Sequence, residues 1–202
     1  HGVEGFFGAA VQLGHLQHQV KGITEGDDIA VLLIHAVNPF GFSHIRRVNE
    51  DNIDLNRNCM LEGQEYSGAD PGYAKMDSML NPTKAPGGLD IFLPRAVWNI
   101  LRHGMPALKN SVAQGQYEFP KGLFYGGDSL SASMQIIRKN FPLWVGEAQN
   151  IIHLDMHTGL GKWGTYVLAS PVNTALEANR RAIRFFGADV VQSLDSTGVL
   201  YT

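Results

Sequence analysis

The sequence predicts an α/β fold, a mainly parallel or mixed central sheet with helices on both faces. Three observations carry this prediction. Apolar residues recur at helical spacing in several stretches, short β-branched runs stand between them, and clusters of Gly, Pro and Asn separate the two kinds of segment. Strands that alternate with helices are covered on both faces, so they read as continuous apolar runs rather than as alternating ones. With 202 residues, 44% hydrophobic and 17% charged, the chain can bury one substantial core, and a single domain over residues 1–202 is expected.

The elements follow in order. Phe6, Ala9, Leu13, Leu16 and Val20 recur at helical spacing with Gln12, Gln17 and Gln19 between them, which predicts an amphipathic helix. Asp28 to Val37 is a β-branched apolar run bounded by Gly26-Asp27 and Asn38-Pro39, as a buried strand would be. From Phe40 to about Ala69 the chain turns polar and rich in Asn, Asp and Arg, with little periodicity, which describes a long functional connection. Pro71 to Leu80 and Asp90 to Ala113 read as helices, separated by Asn81-Pro82 and Pro86-Gly87-Gly88. Gly122 to Asp128 is a glycine-bearing loop, and Leu130 to Val145 reads as a helix whose regular part Pro142 should interrupt or end. Asn150 to Met156 and Tyr166 to Ala169 are the second and third predicted strands. Thr174 to Phe186 closes the pattern as a helix with Leu176, Ala182, Ile183 and Phe186 on one side and arginines on the other. There is no internal repeat, low-complexity tract or interdomain linker.

Charge and composition exclude some functions. A net charge of -3 and a pI near 6.2 give no general electrostatic case for a nucleic-acid or anionic-membrane partner. The longest apolar runs, such as Ile29 to Ile34, fall far short of the roughly 20 residues that span a bilayer. The single cysteine, Cys59, rules out an intrachain disulfide and fits a reducing, cytoplasmic setting. The chain opens directly on His1 without an initiator Met, so the expectation is a domain incomplete at both termini.

His1 and Glu4 form an H-x-x-E pair, a spacing that can bring an imidazole and a carboxylate to one metal ion. On spacing alone, a surface histidine and a helix-start glutamate are the more ordinary reading. A third candidate, His157, ends the predicted strand Asn150 to Met156, where an open sheet carries its ligands. Three protein ligands leave the fourth position of a tetrahedral zinc open, as catalytic sites do, so one Zn2+ is the expected cofactor. Asp155, two residues earlier on the same strand face, is suited to orient the imidazole; His153 shares that face and competes as a ligand. A second constellation, Arg46, Arg47 and Arg57 among several asparagines, crowds one loop of a slightly acidic chain. Guanidinium groups fork carboxylates and stabilise oxyanions. The same arginines could instead pair with Glu50, Asp51 and Asp54 in a solvated loop. Tyr117 and Tyr125 lie in glycine-flanked loops, either within reach of a substrate or as packed loop aromatics.

His1-x-x-Glu4, then Asn38-Pro39-x-Gly41-Phe42, an arginine, Asp54-Leu55-Asn56-Arg57-Asn58 and finally Asp155-x-His157-Thr158 run in the order of the zinc carboxypeptidase superfamily. Together with Gly115-Gln116-Tyr117 and Phe124-Tyr125-Gly126-Gly127, they resemble an uncharacterised bacterial branch related to succinylglutamate desuccinylase and aspartoacylase deacylases. The resemblance implies that His1, Glu4 and His157 hold zinc and that Arg47, with Arg46 as the alternative, steadies the scissile carbonyl. It also implies that Asn56 and Arg57 grip the substrate's carboxylate. The expected reaction is hydrolysis of an amide beside a free carboxylate, in a small peptide or, alternatively, an N-acyl amino acid. The family's general-base glutamate has no counterpart: after His157 the only glutamate is Glu177, inside a predicted helix. Either that base lies beyond Thr202, or the chain is an inactive domain that binds carboxylate-ended ligands. A purely structural metal site is the remaining expectation.

Overall fold

A computed structural model describes residues 2–18, 28–60, 63–85, 87–88, 91–105, 114–158, 163–170 and 176–193. The chain divides into two units, residues 1–158 and 159–202.

In the first unit a single 3-10 turn, Gly2–Glu4, leads into helix α1, Gly5–His18, close to the expected helix. Small residues let α1 approach its neighbours. A Cβ on Gly8 would stand 3.4 Å from the Met156 side chain and one on Gly5 3.4 Å from the Phe42 ring. Residues 28–37 and 150–156, the two long predicted strands, form no ladder among the described residues. Ile29, Val31, Ile151 and Ile152 are exposed there. An apolar run specifies that a segment seeks burial but not which backbone partners it, and local contacts intervene. The Gln12 side chain donates to the Ile34 carbonyl at 3.0 Å, and Ala36 turns left-handed at φ 50°, breaking the extended path before Val37.

Asn38 then caps helix α2, Pro39–His44. Its Oδ1 accepts from Gly41 N at 2.8 Å, Pro39 occupies the first turn, and Ile45 closes the helix in the left-handed region. This helix lies inside the expected loop. Helix α3, Pro71–Leu80, starts the same way: Asp70 accepts from Gly72 N at 2.7 Å and buries Tyr73, Met76 and Met79 on one face. Helix α4, Phe92–His103, packs on α3 and ends at Gly104, φ 83°, ten residues before the expected end; residues 106–113 lie outside the described set. Helix α5, Ala132–Val145, runs through Pro142 instead of stopping there. Proline in the last turn costs one backbone bond, and Gly146 N still reaches the Pro142 carbonyl at 3.1 Å.

What holds the loops between these helices is a set of buried amide side chains. Asn58 donates to the carbonyls of Gly126 and Ser129, both at 2.8 Å, and accepts from Ser131 N at 2.8 Å. Gln116 accepts from the amides of Glu118 and Phe119 and donates to the Phe119 carbonyl. Asn49 accepts from Asp51 N and Ile53 N. Around these pins a small core of Ile53, Leu55 and Tyr125 gathers, with Val37 and Met134 packed against it.

The second unit contains a β-α-β arrangement: strand β1, Leu168–Ser170, helix α6, Leu176–Phe186, and strand β2, Val191–Ser193. The strands are parallel, with Leu168 opposite Val191. β1 realises the third predicted strand, starting two residues later and ending one residue later. Helices with a parallel strand pair make the chain mixed α/β. No helix among the described residues is long and apolar enough to cross a membrane.

Candidate functional site

The opening motif is docked against the arginine loop by its backbone. Gly2 is buried with φ 56°, and a Cβ there would collide with the Arg46 carbonyl and stand 2.9 Å from that of Arg47. Val3 N donates to the Arg46 carbonyl at 2.9 Å. This seats the first helical turn so that the Glu4 carboxylate meets two partners. Its Oε1 accepts from Arg47 Nη1, and its Oε2 stands 3.5 Å from His157 Nδ1. Asp155 Oδ2 lies 3.0 Å from the other imidazole nitrogen, Nε2. Three separate motifs of the sequence, H-x-x-E, the arginine loop and D-x-H, therefore converge. The Asp155 hydrogen bond raises the His157 pKa above its ordinary value and lowers that of Asp155.

Two donors on one tetrahedral zinc, each about 2.0–2.1 Å from the ion, stand roughly 3.4 Å apart. Glu4 Oε2 and His157 Nδ1 match that separation, which is long for a hydrogen bond. Asp155 on Nε2 leaves Nδ1 facing Glu4, the orientation a metal-ligating histidine takes from a carboxylate behind it. His1, the third expected ligand, lies outside the described residues. Among the described residues no group of three His, Cys, Asp or Glu side chains is placed to hold a metal, so the pair fits zinc as two ligands of a larger set.

Arg47 is anchored on its other side by Asp54, which is fully buried and takes Nε at 2.9 Å on Oδ2 while Oδ1 accepts from Asn56 N. The Arg47 guanidinium also lies over the Phe124 ring, 5.3 Å from its centre. Pairing of a loop arginine with Asp54, one of the two readings open in the sequence, is thus realised for Arg47. Arg46 contributes its carbonyl, and its side chain is exposed.

Arg57 ends the 3-10 turn Leu55–Arg57. Burial lowers its pKa, and Asp54 acts in the opposite direction. Its carbonyl accepts from the Tyr117 hydroxyl at 2.8 Å, and the positive-φ Gly115 packs against its side chain. Asn56, Arg57 and Tyr117 line one open cleft of about 440 Å³, so the two residues expected to grip a carboxylate share it with one of the two tyrosines expected within reach of a substrate. Cys59, Met60, Gln64 and Glu65 complete its wall. Tyr125 does not join them: it is buried, 7% exposed, in the core with Ile53 and Leu55, and its carbonyl accepts from Asp54 N at 2.7 Å. It supports the site from beneath. Glu177 is exposed and paired with Arg181 at 3.3 Å on α6, as expected of a solvated helix residue.

The family described as Protein of unknown function (DUF2817) matches residues 1–202. The chain belongs to the DUF2817 family. No curated protein and no solved structure matches it. Sequence reasoning about this DUF2817 chain offered Asp54 as a partner of a loop arginine but in a solvated loop, and so missed its burial as the anchor of Arg47; it also missed Phe124 as the face beneath that guanidinium. Asp54-Leu55-Asn56 carries a usable signal for the first, since an aspartate that caps its own turn is fixed in place. Nothing local in the sequence marks Phe124.

Proposed function

We propose that this DUF2817 chain carries the metal-holding and carboxylate-holding parts of a zinc-dependent hydrolase that cleaves an amide beside a free carboxylate, in the manner of zinc carboxypeptidases. The observation that supports this most is the 3.5 Å approach of Glu4 Oε2 to His157 Nδ1, backed by Asp155 on the far nitrogen. In this reading His1 completes the ligand set, and the finer fold is that of the superfamily, with 28–37 and 150–156 as strands of a central sheet.

Zinc, when bound, supplies Lewis-acid polarisation of a carbonyl and a water acidic enough to ionise near neutral pH. The chain's own residues do the rest. Arg57, with Asn56 beside it and Tyr117 across the cleft, holds the substrate's terminal carboxylate and so sets the register of the bond to be cut. Arg47 has Nε and Nη1 committed to Asp54 and Glu4, which fixes the plane of the guanidinium and leaves Nη2 to stabilise negative charge on the scissile oxygen. Asp155 keeps Nδ1 of His157 directed at Glu4. The substrate is a small peptide or an N-acyl amino acid.

A second reading is favoured by one observation. Glu177, the only glutamate of the sequence after His157, is exposed and paired with Arg181 within α6, as a solvated helix residue is, so the general-base glutamate that the resemblance implies has no evident counterpart in the chain. In that reading the chain binds carboxylate-ended ligands without turnover.

Metal analysis of the purified protein tests the first claim: about one zinc per chain in the parent and none in His157→Ala or Glu4→Gln. Negligible zinc in the parent defeats both readings that include zinc. Peptides with a free C-terminus and N-acyl amino acids, assayed in parallel, then separate peptidase from deacylase, and zinc with no cleavage of either supports the binding domain.

A further inference from the structure

The cleft beside Arg57 has charges of both signs on its wall. Glu65 lines the same open cavity of about 440 Å³ as Arg57, is exposed, and has no ion-pair partner among the described residues. Arg57 in turn lies in the field of Asp54, Arg47 and Glu4, which ties this cleft electrically to the candidate metal centre. A ligand that brings only a carboxylate to Arg57 sets it in the same cleft as a second carboxylate, Glu65. That arrangement disfavours acidic side chains, because like charges brought together in a partly desolvated cavity repel. A ligand with a carboxylate at one end and a cation at the other satisfies both walls.

We propose that Glu65 makes this cleft selective for amino acids that bear a free carboxylate together with a cationic side chain, such as a C-terminal lysine or another diamino acid. The aliphatic stem between the two charges runs beside Met60 and the Tyr117 ring, apolar surface that a lysine methylene chain can cover. The cavity is large enough for an amino acid of this size and open enough that Glu65 acts as a partly solvated partner. Its expected contribution is therefore modest, about five-fold. The inference rests on the proposed role of Arg57 in holding a carboxylate, but it does not require that the chain cleave anything.

Binding of free amino acids, measured by calorimetry on the full chain, tests it. Lysine and norleucine differ essentially in the terminal ammonium. Lysine is expected to bind about five-fold more tightly than norleucine to the parent. Glu65→Gln should bring the ratio to about one, and Glu65→Lys should reverse the order of lysine and glutamate. Because Glu65 is exposed, both variants should keep the parent's circular dichroism. Equal binding of lysine and norleucine, binding of neither, or a ratio unchanged in Glu65→Gln overturns the proposal. A lysine preference in a protein that cleaves no amide leaves the proposal standing and defeats only the hydrolase reading; amide cleavage with no charge preference does the reverse.

Discussion

His157 serves two carboxylates with two nitrogens, and its titration follows from that. Asp155 holds its pKa above the ordinary 6.5, while His157 holds Asp155 below the ordinary 3.8. A histidine with a raised folded pKa contributes stability that is complete below its unfolded value and disappears as pH rises through the folded one. A carboxylate with a depressed pKa contributes above its unfolded value and loses that contribution as pH falls through the folded one. Both contributions are present together between 3.8 and 6.5. Both side chains are partly exposed, so the pair should add no more than about 1 kcal/mol. In thermal melts with a chelator present, His157→Gln should lie furthest below the parent near the middle of that window and converge with it in alkaline buffer. A gap that widened towards alkaline pH would contradict the pairing. Zinc binding at the proposed site should follow the opposite course, strengthening as pH rises, because a protonated Nδ1 cannot ligate. Asp155→Asn should weaken zinc affinity by about 10- to 100-fold without abolishing it.

At the scale of elements, the site is built by turns and pins. Asn58 satisfies two carbonyls and one amide that lie 68 to 73 residues away in the chain. Asn58→Ala leaves those groups without their partner, at about 1–3 kcal/mol for each one left unsatisfied, so a loss of roughly 3 kcal/mol in urea unfolding is expected. Gly126 makes a different point. A Cβ there would collide with the Tyr117 ring, so Gly126→Ala should push that ring away and impair carboxylate binding at Arg57 more than it lowers stability. Ligand titration alongside unfolding distinguishes the two effects. Much of this scale was legible: Asp70-Pro71 announces α3, the spacing from Phe6 to Leu16 announces α1, and the motif order brought Glu4, Arg47 and His157 together on paper. Other features were hidden for physical reasons. Asn38-Pro39 is an N-cap followed by an N1 proline, yet it sits at the end of an apolar run, where the same pair marks a strand boundary. The partners of Asn58 are long-range, so no periodicity reveals them. Tyr125 shares its glycine-flanked setting with Tyr117, and only packing distinguishes the core residue from the cleft residue.

For the whole molecule, the apolar side chains that length and composition assign to one core are divided. Ile53, Leu55, Tyr73 and Met76 are buried, while Ile29, Val31, Ile151, Ile152, Leu101 and Trp163 remain in contact with solvent. That much exposed apolar surface predicts that the 202-residue chain binds a hydrophobic dye such as ANS under native conditions. A dye signal no greater than that of a well-packed monomer would show these residues to be covered. The fold class was legible because alternating helical and β-branched patterns survive in the β-α-β arrangement of 163–193; the extent of the sheet was not, because pairing is a property of two segments and the pattern reports one.

The amide pins also govern how this chain can vary. A site framed by a strand ladder depends on register, so a change of length in one connection displaces every later residue in the ladder. Here the anchors are individual side chains, and the chain between them can lengthen without moving the anchors themselves. Thr83 and Lys84 are exposed in the turn after α3. Doubling such a connection costs only about 0.6 kcal/mol in closure entropy. Glycine-serine insertions after Lys84 should therefore leave the proposed zinc and carboxylate binding unchanged, which makes this turn a place where the chain can change length without disturbing the candidate site.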